Sequence, residues 1–184
     1  VYQRDAGEDV AVVGAATPVV VLGPRLTANQ VSPGAARALV ARAVELTRPE
    51  HVAFTGIPLA DATHLLASVA RLFGSPTLRD AAHNLVDDED LQRARDEMVK
   101  AALSLKIRGR LEQLLQGLPP TGLDVGAYVA ACQRTADRSA FLVGGDPTTI
   151  VADCAARGEG VRHLIALVAH AHFFPARHKL GLAR

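Results

Sequence analysis

The hydrophobic pattern changes period early in the chain. Val10–Val13 and Pro18–Leu22 are Val-rich runs separated by Gly14-Ala15-Ala16-Thr17, the pattern of two short strands joined by a turn. Gly23-Pro24 closes the second run, and Ser32 before Pro33 supplies an N-cap and a first-turn proline, so a helix is predicted from Pro33 to about Leu46. Its apolar stripe is Ala36, Leu39, Val40, Ala43 and Leu46, with Arg37 and Glu45 off the stripe. A second helix over Leu59–Phe73, opened by Pro58 or Asp61 and ended by Gly74, turns Leu65, Leu66, Val69 and Leu72 inward.

Further on, the run from Asp87 to Leu105 pairs Glu89 with Arg93, Arg93 with Glu97 and Asp96 with Lys100 at i, i+4, the decoration of a solvated helix face. Asp87-Asp88-Glu89-Asp90 sits at its start, where the helix dipole favours negative charge. A short helix carrying Leu111, Leu114 and Leu115 follows the basic residues Lys106, Arg108 and Arg110 and ends at Gly117. Pro119-Pro120-Thr121-Gly122 breaks the chain, and Asp124 caps the longest helix, to about Val143. One face of that helix holds Tyr128, Val129, Cys132, Ala136, Ser139 and Ala140; another holds Gln133, Arg134, Asp137 and Arg138. Gly144-Gly145 stops it, Asp146-Pro147 starts a helix ending near Gly158, and a last helix over Gly160–Ala171 buries Leu164, Leu167 and Val168. The fold class expected is α+β, mostly helical, with short N-terminal β-strands followed by a helical bundle.

Composition narrows the function classes. A chain of 184 residues, 49% hydrophobic, has the material for one core, so residues 1–184 read as a single domain. Lys plus Arg number 20 against 19 Asp plus Glu, which leaves no broad field for nucleic acid or an anionic membrane. No apolar run approaches the roughly 20 residues of a membrane-spanning helix. Cys132 and Cys154 lie in apolar helical stretches as small buried hydrophobes, which suits a reducing, cytoplasmic setting. The opening VYQRDAGEDV starts at Val1 and has no secretion-signal pattern, and the chain reads as part of a longer protein.

Two helices carry a pattern that composition does not explain. In order come a strand, a Gly turn, a Ser-Pro helix start, a helix leading into His51, and a later long helix with Thr135-Ala136-Asp137. This order resembles the M48 family of zinc metallopeptidases, in which one helix bears HExxH and a later helix carries ExxAD or a close variant. The chemistry needs two His at i, i+4 so that both rings face one zinc, with a Glu beside the first as general base. In this register Leu39–His51 matches the first helix and His51 the trailing His, while Arg42 and Leu46 occupy the ligand positions and Ala43 that of the base. Gln133 stands where the family's third ligand, a Glu, would be, and Asp137 matches the closing acid. Arg42 is permanently cationic and Leu46 has no donor atom. The resemblance therefore implies a zincin-type core without catalytic residues, metal or cofactor, a pseudoenzyme of bacterial type serving as a scaffold for a protein partner or for further domains. It also implies that Arg42 and Asp137, which stand where a His ligand and its orienting carboxylate would be, form a salt bridge.

Other residues were weighed for chemistry. His163, His170 and His172 near the C-terminal end are an alternative metal-ligand set, and would make the chain a metal-dependent hydrolase if acidic neighbours joined them. A plain helical adaptor, in which helices 33–46 and 124–143 do not meet, is the third reading. His51 and His64 read as surface or loop histidines, and no serine or cysteine lies in a nucleophile motif. Val21-Leu22-Gly23-Pro24-Arg25 offers no phosphate-binding glycine pattern, and Gly144-Gly145-Asp146-Pro147 reads as a helix-to-helix corner.

Overall fold

The structure, a computed structural model, describes residues 10–14, 17–144 and 147–182. The elements are β1 (Val10–Val13), β2 (Val19–Leu22), α1 (Pro24–Thr27), α2 (Pro33–Leu46), α3 (Pro49–Val52), α4 (Leu59–Phe73), α5 (Pro76–His83), α6 (Glu89–Ala102) and α7 (Leu105–Leu115). A short 3₁₀ helix, Pro120–Leu123, then leads to α8 (Val125–Val143), α9 (Pro147–Ala156), α10 (Arg162–Ala169) and α11 (Phe173–Lys179). The chain is thus mostly helical, with a two-stranded antiparallel sheet near its N-terminal end. The strands pair Val10 with Leu22 through Val13 with Val19. Ala15 and Ala16 of the expected turn, Gly145 and Asp146 of the expected corner, and the opening nine residues lie outside the described residues. The chain packs as two compact units, Val1–Gly56 with Ala130–Arg184, and Ile57–Val129.

In the first unit, α2 starts where the Ser32 hydroxyl accepts the Ala35 N–H at 3.2 Å, with Pro33 in the first turn. Its buried residues are Ala35, Ala38, Ala43 and Leu46, whereas Leu39 and Val40 of the expected stripe are only half-buried. The inward face is rotated because alanine, not leucine, lies at the closest approach. Ala38 packs with Ala140 of α8, Ile150 and Cys154 of α9 and Leu164 of α10 in one cluster. A Cβ on Gly144 would lie 2.8 Å from the Ala38 Cβ and 2.9 Å from the Ala140 carbonyl oxygen, so glycine is what lets α2 and the end of α8 touch. Arg177 of α11 donates to the Leu142 and Gly144 carbonyls at 2.7 and 2.9 Å, satisfying acceptors that the end of α8 leaves open. The expected last helix ends at Ala169, where His170 turns extended, and a further helix not expected from the sequence, α11, follows it.

In the second unit, α4 packs against α5 and α6 around Ala67, Ala70, Phe73, Leu78, Leu115 and Leu123. Leu66, Val69 and Leu72 pack on this core, but Leu65, expected inward, is 41% exposed. Ala62, Ala67 and Ser68 take the buried positions, because small residues bring α6 close. The single helix expected over 87–105 ends at Ala102; Leu103 is extended and Ser104 caps α7. The acidic run does begin a helix, as Asp88 accepts the Asp90 and Leu91 N–H groups at 3.1 and 3.0 Å. The expected i, i+4 pairs give way to others: Arg71 of α4 contacts both Glu89 and Asp96 at 3.1 Å, while Arg93 and Lys100 pair at i, i+3 with Asp90 and Glu97. Gln92, 1% exposed, donates to the Ser68 hydroxyl at 2.6 Å and to the His64 carbonyl at 3.1 Å, so the α4–α6 seam is polar and buried.

Replacing Gly144 with Ala forces the methyl group against Ala38, and this overpacking is expected to cost about 1–3 kcal/mol. Urea denaturation of Gly144→Ala measures it, and the double variant Gly144→Ala with Ala38→Gly is expected to recover part of the loss.

Candidate functional site

The helices of the first unit converge on one carboxylate. Asp137 sits on α8 one turn before Ala140, so the close packing of Ala140 on Ala38 carries Asp137 inside, where its side chain has 0% exposure. Arg42 lies one turn beyond Ala38 on α2 and reaches the same level. Its Nε donates to Asp137 Oδ1 at 2.8 Å, and its Nη2 donates to Gln133 Oε1, one turn earlier on α8. The salt bridge expected between Arg42 and Asp137 is present. Glu45, further along α2, accepts from Ser139 at 3.4 Å, so α2 and α8 are joined by polar contacts on either side of the register.

The other oxygen faces residues that the sequence did not single out together. Arg157, just after α9, donates to Asp137 Oδ2 at 2.8 Å and also pairs with Asp153 and with Glu159, the latter at 3.3 Å. The Cys154 thiol donates to Asp137 Oδ2 at 3.5 Å, and His163 Nε2 of α10 lies 3.5 Å from the same oxygen. Two guanidinium groups thus meet three carboxylates, with Arg42 Nε also 3.6 Å from Asp153. Burying Asp137 without these partners would cost several kcal/mol, and the paired guanidinium groups offset that. Asp153 and Arg157, at i, i+4, were the local signal available for this half of the site.

Electrostatics follow from burial. Desolvation, and next the neighbouring Asp137 carboxylate, push the Cys154 thiol up from 9.0 to about 11. The Arg157 guanidinium is held firmly charged, as the carboxylates of Asp137, Asp153 and Glu159 outweigh its desolvation. His163 Nδ1 lies 3.1 Å from the Gly160 carbonyl, which can only accept, so Nδ1 carries a proton. Its Nε2 is buried with no hydrogen-bond partner.

The remaining expected site residues divide. Ala43 and Leu46 are buried on α2 and contribute no polar atom. His51, read as a surface or loop residue, is buried in α3, because its Nδ1 contacts the Glu45 carbonyl at 3.0 Å and the ring is drawn under the end of α2. His64 lies half-buried within α4 and not in a loop, its Nδ1 unpartnered. Of the C-terminal histidines, His163 reaches Asp137, whereas His170 and His172 are exposed with their rings 5.2 Å apart. Among the described residues, no helix is long and apolar enough to cross a membrane.

No protein-family model, curated protein or solved structure matches this chain.

Asp137→Ala leaves Arg42 and Arg157 without their shared anion and is expected to destabilise the chain by roughly 3–5 kcal/mol in chemical denaturation, with Asp137→Asn losing less. The folded-state thiol of Cys154 titrates above its unfolded value, so its contribution is complete below pH 9.0 and is lost as pH rises through about 11. Denaturation midpoints across that window are expected to fall more steeply for the parent chain than for Cys154→Ala.

Proposed function

We propose that the chain is a metallopeptidase-like domain without peptidase activity, a cytoplasmic pseudoenzyme of bacterial type that serves as an interaction or regulatory scaffold for a protein partner or for other domains of its parent chain. One observation carries this reading: at the position where the resemblance to the M48 family puts the first zinc ligand stands Arg42, and its guanidinium is bonded to the carboxylate that would orient that ligand. A fixed cation there repels a second cation and supplies no lone pair. Ala43, Leu46 and Gln133 offer no general base and no anionic ligand, so water activation of the zinc-peptidase kind has no residue to perform it. The contact of α2 with α8 at Ala38–Ala140 and Arg42–Asp137 supports this reading over a generic helical adaptor, which does not require those helices to meet. Two reduced, buried cysteines support the cytoplasmic setting.

Incubation of the purified chain with unfolded casein and added zinc is expected to give no cleavage, and chelator-sensitive turnover would overturn the reading. The register is tested by restoring the family's residues together, Arg42→His, Ala43→Glu, Leu46→His and Gln133→Glu. The folded variant is expected to hold about one more zinc per chain than the parent. An unchanged zinc content would remove the metallopeptidase resemblance and leave a helical scaffold of other ancestry.

A further inference from the structure

Three donors of different chemistry meet at the Oδ2 side of Asp137. Asp137, Cys154 and His163 each present a ligand atom within 4.8 Å of the other two, and all three side chains are buried. They come from α8, α9 and α10, so the bundle itself sets their positions. In a tetrahedral site with bonds of about 2.0–2.3 Å, donors stand roughly 3.3–3.8 Å apart, so a contraction of at most about 1.5 Å would close this set around an ion.

The orientation of His163 is the second, independent observation. Its Nδ1–H is directed at the Gly160 carbonyl at 3.1 Å, the backbone contact that fixes the tautomer of a metal-ligating histidine. In the neutral ring, Nε2 then carries a lone pair aimed at a carboxylate oxygen 3.5 Å away, inside a site where His163 is 8% exposed. Nε2 has no hydrogen-bond donor directed at it. Two buried electron-rich atoms facing each other are unfavourable until a proton or a metal cation stands between them.

We propose that Asp137, Cys154 and His163 form a buried three-ligand site for a thiophilic divalent cation of the zinc class. Arg157 Nη2, 2.8 Å from Asp137 Oδ2 and 3.6 Å from Cys154 Sγ, holds this place in the metal-free chain. The same guanidinium is bonded to Asp153 and Glu159, so it keeps acceptors when it leaves Oδ2. When the ion enters, the Cys154 thiol releases its proton to bulk water and binds as thiolate; His163 gives its lone pair and Asp137 one carboxylate oxygen. No other bond is made or broken, and no oxidant is required. The site uses none of Arg42, Leu46 or Gln133, the ligand positions of the peptidase register, so it stands independently of the peptidase reading.

The test is a cadmium titration of the reduced, chelator-stripped chain, followed by the ultraviolet thiolate-to-cadmium charge-transfer band, with zinc-dependent thermal stability as a second readout. The parent chain is expected to develop the band at about one cadmium per chain and to rise in Tm with zinc. Cys154→Ser is expected to lose both effects and Cys132→Ala to keep them. His163→Ala is expected to weaken cadmium binding on the order of 100-fold, whereas Arg157→Gln, which removes the competing cation, is expected to tighten it about tenfold. A parent chain that shows neither band nor zinc stabilisation overturns the proposal, as does a band that persists in Cys154→Ser. Casein cleavage is measured separately, so the failure of one reading is distinguishable from the failure of the other.

Discussion

A carboxylate taken wholly out of water must be compensated by the protein that buries it, and Asp137 is such a carboxylate at the centre of its unit. Its two oxygens draw one arginine from α2 and one from the end of α9, and the same group lies against the thiol of Cys154 and the imidazole of His163. Four helices are thereby registered on one atom pair. A slide of α2 by a single turn would bring Ala38 or Leu46 to the level of Arg42 and leave Oδ1 of a buried carboxylate without its donor, an error of about 1–3 kcal/mol.

That constraint operates only because the backbone approach is close. Ala38, Ala140 and Gly144 carry one methyl or none where α2 meets α8, and the Cβ positions leave no space for a larger residue at 144. Small residues bring the axes near enough for short polar contacts between Arg42 and Asp137, and between Glu45 and Ser139. In the Ile57–Val129 unit a small residue again lies on a helix seam, where the Ser68 hydroxyl of α4 accepts from Gln92 of α6. In both, a polar side chain on a small-residue seam sets the register, and the larger aliphatics pack beside it.

This explains what could be read from the chain and what could not. The limits of α2 follow from Ser32-Pro33, those of α4 from Pro58 and Gly74, and the start of α6 from Asp88, because capping is decided by residues next to one another. The buried faces were less legible. A stripe drawn through Leu39, Val40 and Leu65 assumes that the largest apolar residues lie deepest, whereas here alanine lies deepest and leucine flanks it. The short helices α1, α3, α5 and α11 have too few turns to show a period, although Pro at the first turn of α1, α3 and α5 marks their starts. For the site, Arg42 with Asp137 was legible as a pair of positions on two long helices. His163 was legible only as one of three C-terminal histidines, and Cys154 and Arg157 not as site residues, because their meeting arises only when α9 and α10 lie against α8.

The two oxygens of Asp137 are not equivalent, and the difference decides which cation chemistry the site can accommodate. Oδ1 is held by Arg42, whose Nη2 is also committed to Gln133 on the same helix as Asp137, so removing this cation would loosen α2 from α8. Oδ2 is held by Arg157, which has two further acceptors in Asp153 and Glu159 and so gives up one of its anions without being left unpaired. An ion bound at Oδ1 must therefore compete with a contact on which the helix pair depends. At Oδ2 it competes only with an exchangeable arginine, and finds a thiol and an imidazole lone pair within reach. The arrangement disfavours a metal at Oδ1 and leaves Oδ2 able to exchange one cation for another.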